Sequence, residues 1–100
     1  MSDIHIARNH NLGLPRAREV AQQWIDSAER DYGVECRYLE GWESDVAKFS
    51  RPGLDGSLEV TADTLTVHMS LGFLMDAFKG VIEEKLTRNV DKLLNSPAGG

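Results

Sequence analysis

Between residues 34 and 71, apolar side chains recur at every second position in four short segments that are separated by turn residues. A period of two is typical of a half-buried β-strand, whose side chains point alternately to opposite faces. The alternating apolar positions are Val34, Cys36 and Tyr38; Ala47 and Phe49; Leu58 and Val60; and Leu65, Val67, Met69 and Leu71. Strands joined by short turns favour an antiparallel meander. We predict the turns at Gly41–Asp45, Pro52–Gly56 and Thr61–Thr64.

A further strand and two amphipathic helices complete the pattern. Residues Asp3–Arg8 alternate in the same way as the later strands. From Ala17 to Tyr32, apolar residues repeat at steps of three and four, with Pro15 suited to the first helical turn and Gly33 to the stop. Apolar residues repeat again at helical spacing from about residue 73 to residue 95. They are Leu74, Phe78, Val81, Ile82, Leu86, Val90, Leu93 and Leu94.

The resulting order β-α-β-β-β-β-α predicts an α+β fold. Each predicted strand has one apolar face, and each helix has one apolar stripe, so these surfaces cover one another if both helices lie on the same side. We therefore expect two layers: a five-stranded, mainly antiparallel sheet with two helices on one face. The chain of 100 residues fits a single domain over residues 1–95, followed by a flexible C-terminal tail at 96–100.

Composition excludes several classes of function. The chain has 11 Lys and Arg against 16 Asp and Glu, a net charge of -5, which disfavours a nucleic-acid binder. Cys36 cannot form an internal disulfide, and a single thiol fits a reducing compartment. We see no secretory signal and no apolar run near the ~20 residues that cross a bilayer. We expect a soluble, cytoplasmic protein without a membrane span.

The histidines are the first candidates for chemistry. His5 and His68 fall on the polar face of the predicted sheet, where carboxylates such as Glu35, Glu59 and Asp3 could join them in an acid–base or metal site. Their spacing matches no metal motif, and exposed polar residues normally cover an open sheet face. His10 falls in the turn before the first helix, where a structural role is favoured. We predict no catalytic residue, no cofactor and no metal.

A second group of candidates is apolar. Trp42, Leu54, Phe73 and Met75 fall at strand ends, in turns or off the main helical stripe. Such residues either cap the core or form a contact surface, because a contiguous exposed apolar patch usually marks a partner site. These four residues are our predicted contact surface.

Taken together, particular residues give the chain a family resemblance. They are Ile4-His5-Ile6, Arg8, His10, Leu12-Gly13, Tyr32-Gly33, Gly53, Gly56, Leu71-Gly72-Phe73-Leu74, Lys79 and Ile82-Glu83. Over about Asp3–Leu94 the chain resembles the polyhydroxyalkanoic acid system proteins, small bacterial proteins encoded beside genes for polyester storage. The resemblance implies a non-enzymatic accessory protein that binds the polyhydroxyalkanoate granule surface or granule-associated proteins.

Two alternatives stay open. A pocket between the helices and the sheet would suit a small hydroxyacyl-ligand-binding protein or hydrolase, with His5, His10 and His68 as ligand candidates. A homodimer could form through the polar sheet face or through a free strand edge.

Overall fold

The computed structural model describes residues 2–95, which form five β-strands, two α-helices and one short 3-10 helix. In chain order these are β1 (Ser2–Asn9), α1 (Leu14–Tyr32), β2 (Glu35–Leu39), β3 (Ser44–Arg51), β4 (Leu54–Thr61), β5 (Thr64–Leu71), the 3-10 helix (Phe73–Phe78) and α2 (Lys79–Leu94). The predicted α+β class and element order are confirmed. The predicted tail at 96–100 lies outside the described residues.

The strands form one sheet in the order β1-β5-β4-β3-β2, and every neighbouring pair is antiparallel. Ile6, Val67, Leu58 and Ala47 lie opposite one another across β1, β5, β4 and β3. Because facing residues share a side of the sheet, this register places the apolar positions of all these strands on one face. The meander from β2 to β5 is as the alternation predicts, and β1 is added beside β5.

Both helices cover that apolar face. Their buried residues join the inward strand residues in one core, and α1 and α2 also contact each other. Trp24 of α1 lies 5.3 Å from Phe49 of β3 between ring centroids. A Cβ atom on Gly56 would come within 2.5 Å of the Phe49 ring, so a glycine is needed opposite Phe49. The predicted arrangement of the helices on one face is confirmed.

Three predicted boundaries are wrong. β3 begins at Ser44, inside the turn predicted at Gly41–Asp45. The turn between β3 and β4 is confined to Pro52 and Gly53, whose φ of 87° suits the second central position of a type II turn. β4 therefore begins at Leu54, three residues before the predicted strand. At the C-terminal side, residues 73–78 form the 3-10 helix, and α2 begins only at Lys79.

Candidate functional site

Four large apolar side chains are exposed on the 3-10 helix that follows β5 and on the first turn of α2. The exposed fractions are 83% for Phe73, 82% for Leu74, 54% for Phe78 and 67% for Val81. We call these four residues the apolar ridge. Scattered exposed apolar residues are ordinary, but several close together in the chain usually mark an interaction surface.

The fold holds the apolar ridge against one end of the sheet. The Gly72 N–H donates to the carbonyl of Gly53 over 2.8 Å, which ties the start of the 3-10 helix to the β3–β4 turn. Met75 packs against the core, and Ile82 is buried within it. Since these two side chains turn inward, their neighbours on the same segment are left facing solvent.

Trp42 is 99% exposed but lies at the opposite end of the sheet. It stands just before β3, whose first residue, Ser44, faces Thr61. Phe73 follows the end of β5, where Leu71 faces Leu54 at the other end of the ladder. An eight-residue strand spans roughly 25 Å. The predicted contact surface therefore does not form one patch.

Leu54 is not a surface residue. It is 1% exposed and faces Leu71 across the β4–β5 ladder, on the side that the helices cover. The prediction for Leu54 was wrong because the turn before it is shorter than expected, which draws Leu54 into the strand. Met75 is partly buried beside the β3–β4 turn, so Phe73 and Trp42 are the fully exposed members of the predicted set.

Beneath the loop that carries Trp42, a buried carboxylate accepts several hydrogen bonds. Asp45 is 1% exposed. Arg18 donates to it from Nε over 2.5 Å and from Nη2 over 3.0 Å. The Tyr38 hydroxyl donates over 2.5 Å and the Gly41 N–H over 3.1 Å. These bonds join α1, β2 and β3 to the Trp42 loop.

The electrostatics of this cluster suit a structural clamp. The hydrogen bonds from Arg18 lower the pKa of Asp45 to about 2, with help from Tyr38 and Gly41 and against the effect of burial. Burial, with the hydrogen bond to Asp45, raises the pKa of Tyr38. At neutral pH the carboxylate is therefore ionised and the phenol is protonated. Neither group is poised for proton transfer near pH 7.

The structure brings two of the candidate histidines together and leaves the third apart. His5 and His68 face each other across β1 and β5, with ring centroids 6.3 Å apart on the exposed side of the sheet. His10 follows the far end of β1, five residues from His5, a separation of roughly 16 Å along a strand. Its Nδ1 accepts the Leu12 N–H over 3.2 Å, a local turn contact.

Large apolar side chains fill the middle of the space between the helices and the sheet, where the alternative hypothesis expects a ligand pocket. Trp24, Leu58 and Leu86, at most 2% exposed, pack between the helices and the sheet. Cys36 is half-buried, and burial raises the pKa of its thiol to about 11, so it is protonated at neutral pH. Within residues 2–95, no three His, Cys, Asp or Glu side chains group closely enough to hold a metal ion. No helix in that range is long and apolar enough to cross a membrane.

The sequence of the chain matches the model of a known protein family. The family model described as "Putative polyhydroxyalkanoic acid system protein" matches residues 4–94. The chain belongs to this family. The match begins within β1 and ends at the last residue of α2, so it includes most of the sheet, the Trp42 loop and the apolar ridge. The resemblance predicted from the sequence is confirmed.

No curated protein matches the sequence. Among solved structures, the crystal structure of TTHA0849 from Thermus thermophilus is 7% identical, covers 93% of this chain and 92% of its own, and has a TM-score of 0.37. A similarity this low supports no conclusion about fold or function.

Sequence reasoning missed most of the apolar ridge. Leu74, Phe78 and Val81 were assigned to the core stripe of the last helix. The spacing of the residues contained a signal that this stripe is exposed. Steps of four and three from Val81 lead to the charged residues Lys85 and Arg88. The row through Ile82, Leu86 and Val90 stays apolar and is the buried one.

Proposed function

We propose that this polyhydroxyalkanoic acid system protein is a non-enzymatic accessory protein that binds the surface of polyhydroxyalkanoate granules through its apolar ridge. The observation that carries the proposal is the exposure of Phe73, Leu74, Phe78 and Val81 on one short segment. Family membership supplies the polyester context. The granule surface would place the protein in the cytoplasm.

The energetics suit reversible binding at a surface. Transfer of an exposed Phe or Leu side chain from water to an apolar phase is worth about 1.5 to 3 kcal/mol. Four such side chains give on the order of 6 kcal/mol before the costs of immobilisation. This is enough for peripheral contact with an apolar surface and far less than the insertion of a spanning helix.

A non-enzymatic role fits the arrangement of the reactive groups. The exposed pair His5 and His68 lies apart from His10, which serves its own turn. The buried Asp45 is committed to hydrogen bonds with Arg18 and Tyr38. These contacts support a structural role for the polar groups, in a protein that binds through its apolar ridge.

Fractionation of cells that store polyester tests the proposal. Tagged wild-type protein is expected in the granule fraction, and the double variant Phe73→Ser/Phe78→Ser in the soluble fraction. Equal amounts of both proteins on the granules would contradict a contact through the ridge. Recruitment that requires another granule protein would assign the ridge to a protein partner and would contradict direct polymer contact.

A further inference from the structure

The face of the sheet opposite the helices carries charge in two parallel rows across the strands. One row, here the basic row, is His5, His68, Ser57, Lys48 and Arg37, each facing the next in the ladder. The adjacent acidic row is Asp3, Ser70, Asp55, Ser50 and Glu35. The rows lie two residues apart on each strand, so both point away from the helices.

One pairing in this distribution is unfavourable within a single chain. Arg37 faces Lys48, and like charges directly opposite each other destabilise a pair of strands. Among residues 2–95, Arg37, Lys48, Glu35 and Asp55 form no ion pair inside the chain. A face that only needed to be soluble gains by alternating its charges across the strands, whereas this one separates them by sign.

We propose that this face binds a second copy of the chain, sheet against sheet, with the basic row of each copy on the acidic row of the other. Consider a two-fold axis that runs perpendicular to the strands and passes midway between the two rows. This axis places the basic row of one copy over the acidic row of the other, so unlike charges meet. An axis along the strands would place the basic rows on each other. Symmetry and charge therefore select one arrangement of the dimer.

The selected axis places each strand over the same strand of the second copy. Arg37 then meets Glu35 of the second copy on β2, and the reciprocal contact forms by symmetry. Likewise His5 meets Asp3 on β1. Lys48 meets Ser50, which is flanked in its row by Glu35 and Asp55. Arg37 and Glu35 of each copy thus gain a charged partner from the other.

The area of the face is consistent with a weak dimer. Five strands at ~4.8 Å spacing span roughly 24 Å, and the two rows with their margins cover roughly 20 Å along the strands. About 500 Å² per copy, or about 1,000 Å² in total, is the lower limit for a specific interface. An anionic ligand fits less well, because the basic row has Asp55 and Glu35 on one side and Glu59 on the other.

Sedimentation equilibrium with charge-swap variants tests the proposal. The wild-type chain is expected to dimerise with rising concentration, and the association should weaken about tenfold when salt is raised from about 20 to about 500 mM. Arg37→Glu and Glu35→Arg should each lose self-association at least about tenfold. Mixed in equal amounts, the two variants should form a heterodimer at least as tight as the wild-type dimer. Arg30→Glu, an equal charge change on α1, should leave association unchanged.

Two outcomes would overturn the proposal. A wild-type chain that stays monomeric at all concentrations in low salt would show that the face is only solvated. Dimerisation that is indifferent to Arg37→Glu and Glu35→Arg would assign the contact to an edge strand. Circular dichroism spectra and thermal midpoints of the variants, matched to wild type, ensure that lost association does not reflect lost folding.

Discussion

Both ends of the sheet expose aromatic side chains, but they support them in different ways. At one end, Trp42 is exposed on a loop that a buried charged cluster around Asp45 holds in place, and Leu39, three residues earlier, is 51% exposed. At the other end, Phe73 and Phe78 belong to a group of exposed apolar residues on a segment held by the inward packing of Met75. The difference teaches that exposure of one large side chain does not define a binding surface. Several exposed apolar side chains within one short segment are the stronger indication, and Phe73, Leu74, Phe78 and Val81 provide it at the ridge end.

The first test compares the effects on stability of a buried residue, Leu54, and an exposed residue, Phe73, at the same end of the sheet. Leu54→Ala should lower the free energy of unfolding by about 3 kcal/mol, because it opens a cavity in a closely packed core. Phe73→Ala, the matched exposed residue, should change it by less than about 0.5 kcal/mol. Urea denaturation followed by circular dichroism measures both. Similar losses for the two variants would mean that the ridge is part of the core.

At the Trp42 end, acid should weaken the clamp. The pKa of Asp45 is lowered from 3.8 to about 2 on folding, so its contribution is complete above about pH 4 and is lost as the pH falls through about 2. We expect about 2 kcal/mol of stability to disappear over this range. The stability difference between wild type and Asp45→Asn isolates this residue from other carboxylates. A difference that is the same at pH 6 and pH 2 would refute the assignment.

The smallest effect is expected at Trp42 itself. Because the side chain is 99% exposed, Trp42→Ser should change the free energy of unfolding by less than about 0.5 kcal/mol. The chain has a second tryptophan, the buried Trp24, so the emission of the variant should be blue-shifted and poorly quenched by acrylamide. A stability loss above about 1 kcal/mol would show that Trp42 packs on the molecule and is not free for contact.

Much of the fold could be predicted from periodicity. The alternation in β5 (Leu65, Val67 and Met69) and the stripe of α1 around Trp24 each identify a buried face, because strands and helices expose residues with different periods. The prediction failed at Leu54, since a two-residue turn and a five-residue turn leave similar sequence signals when glycine recurs at Gly53 and Gly56.

The candidate site was less predictable. Asp45 looked like a turn residue, and its burial depends on Arg18 and Tyr38, which are distant in the chain or on another strand. Such a partnership is set by the register between elements, which local patterns do not specify. The ridge was missed for a related reason: Val81 and Ile82 are both apolar, and only the packing of α2 decides which one faces the core.

Binding to a polyhydroxyalkanoate film is the most direct test of the proposed function, with Phe73→Ser/Phe78→Ser compared with Trp42→Ser. Two phenyl rings at about 1.5 kcal/mol each predict a roughly hundredfold loss of affinity for the ridge variant. The Trp42 variant, which removes an exposed aromatic from the opposite end, should bind within about twofold of wild type. Wild-type affinity in the ridge variant, or an equal loss in the Trp42 variant, would contradict the account.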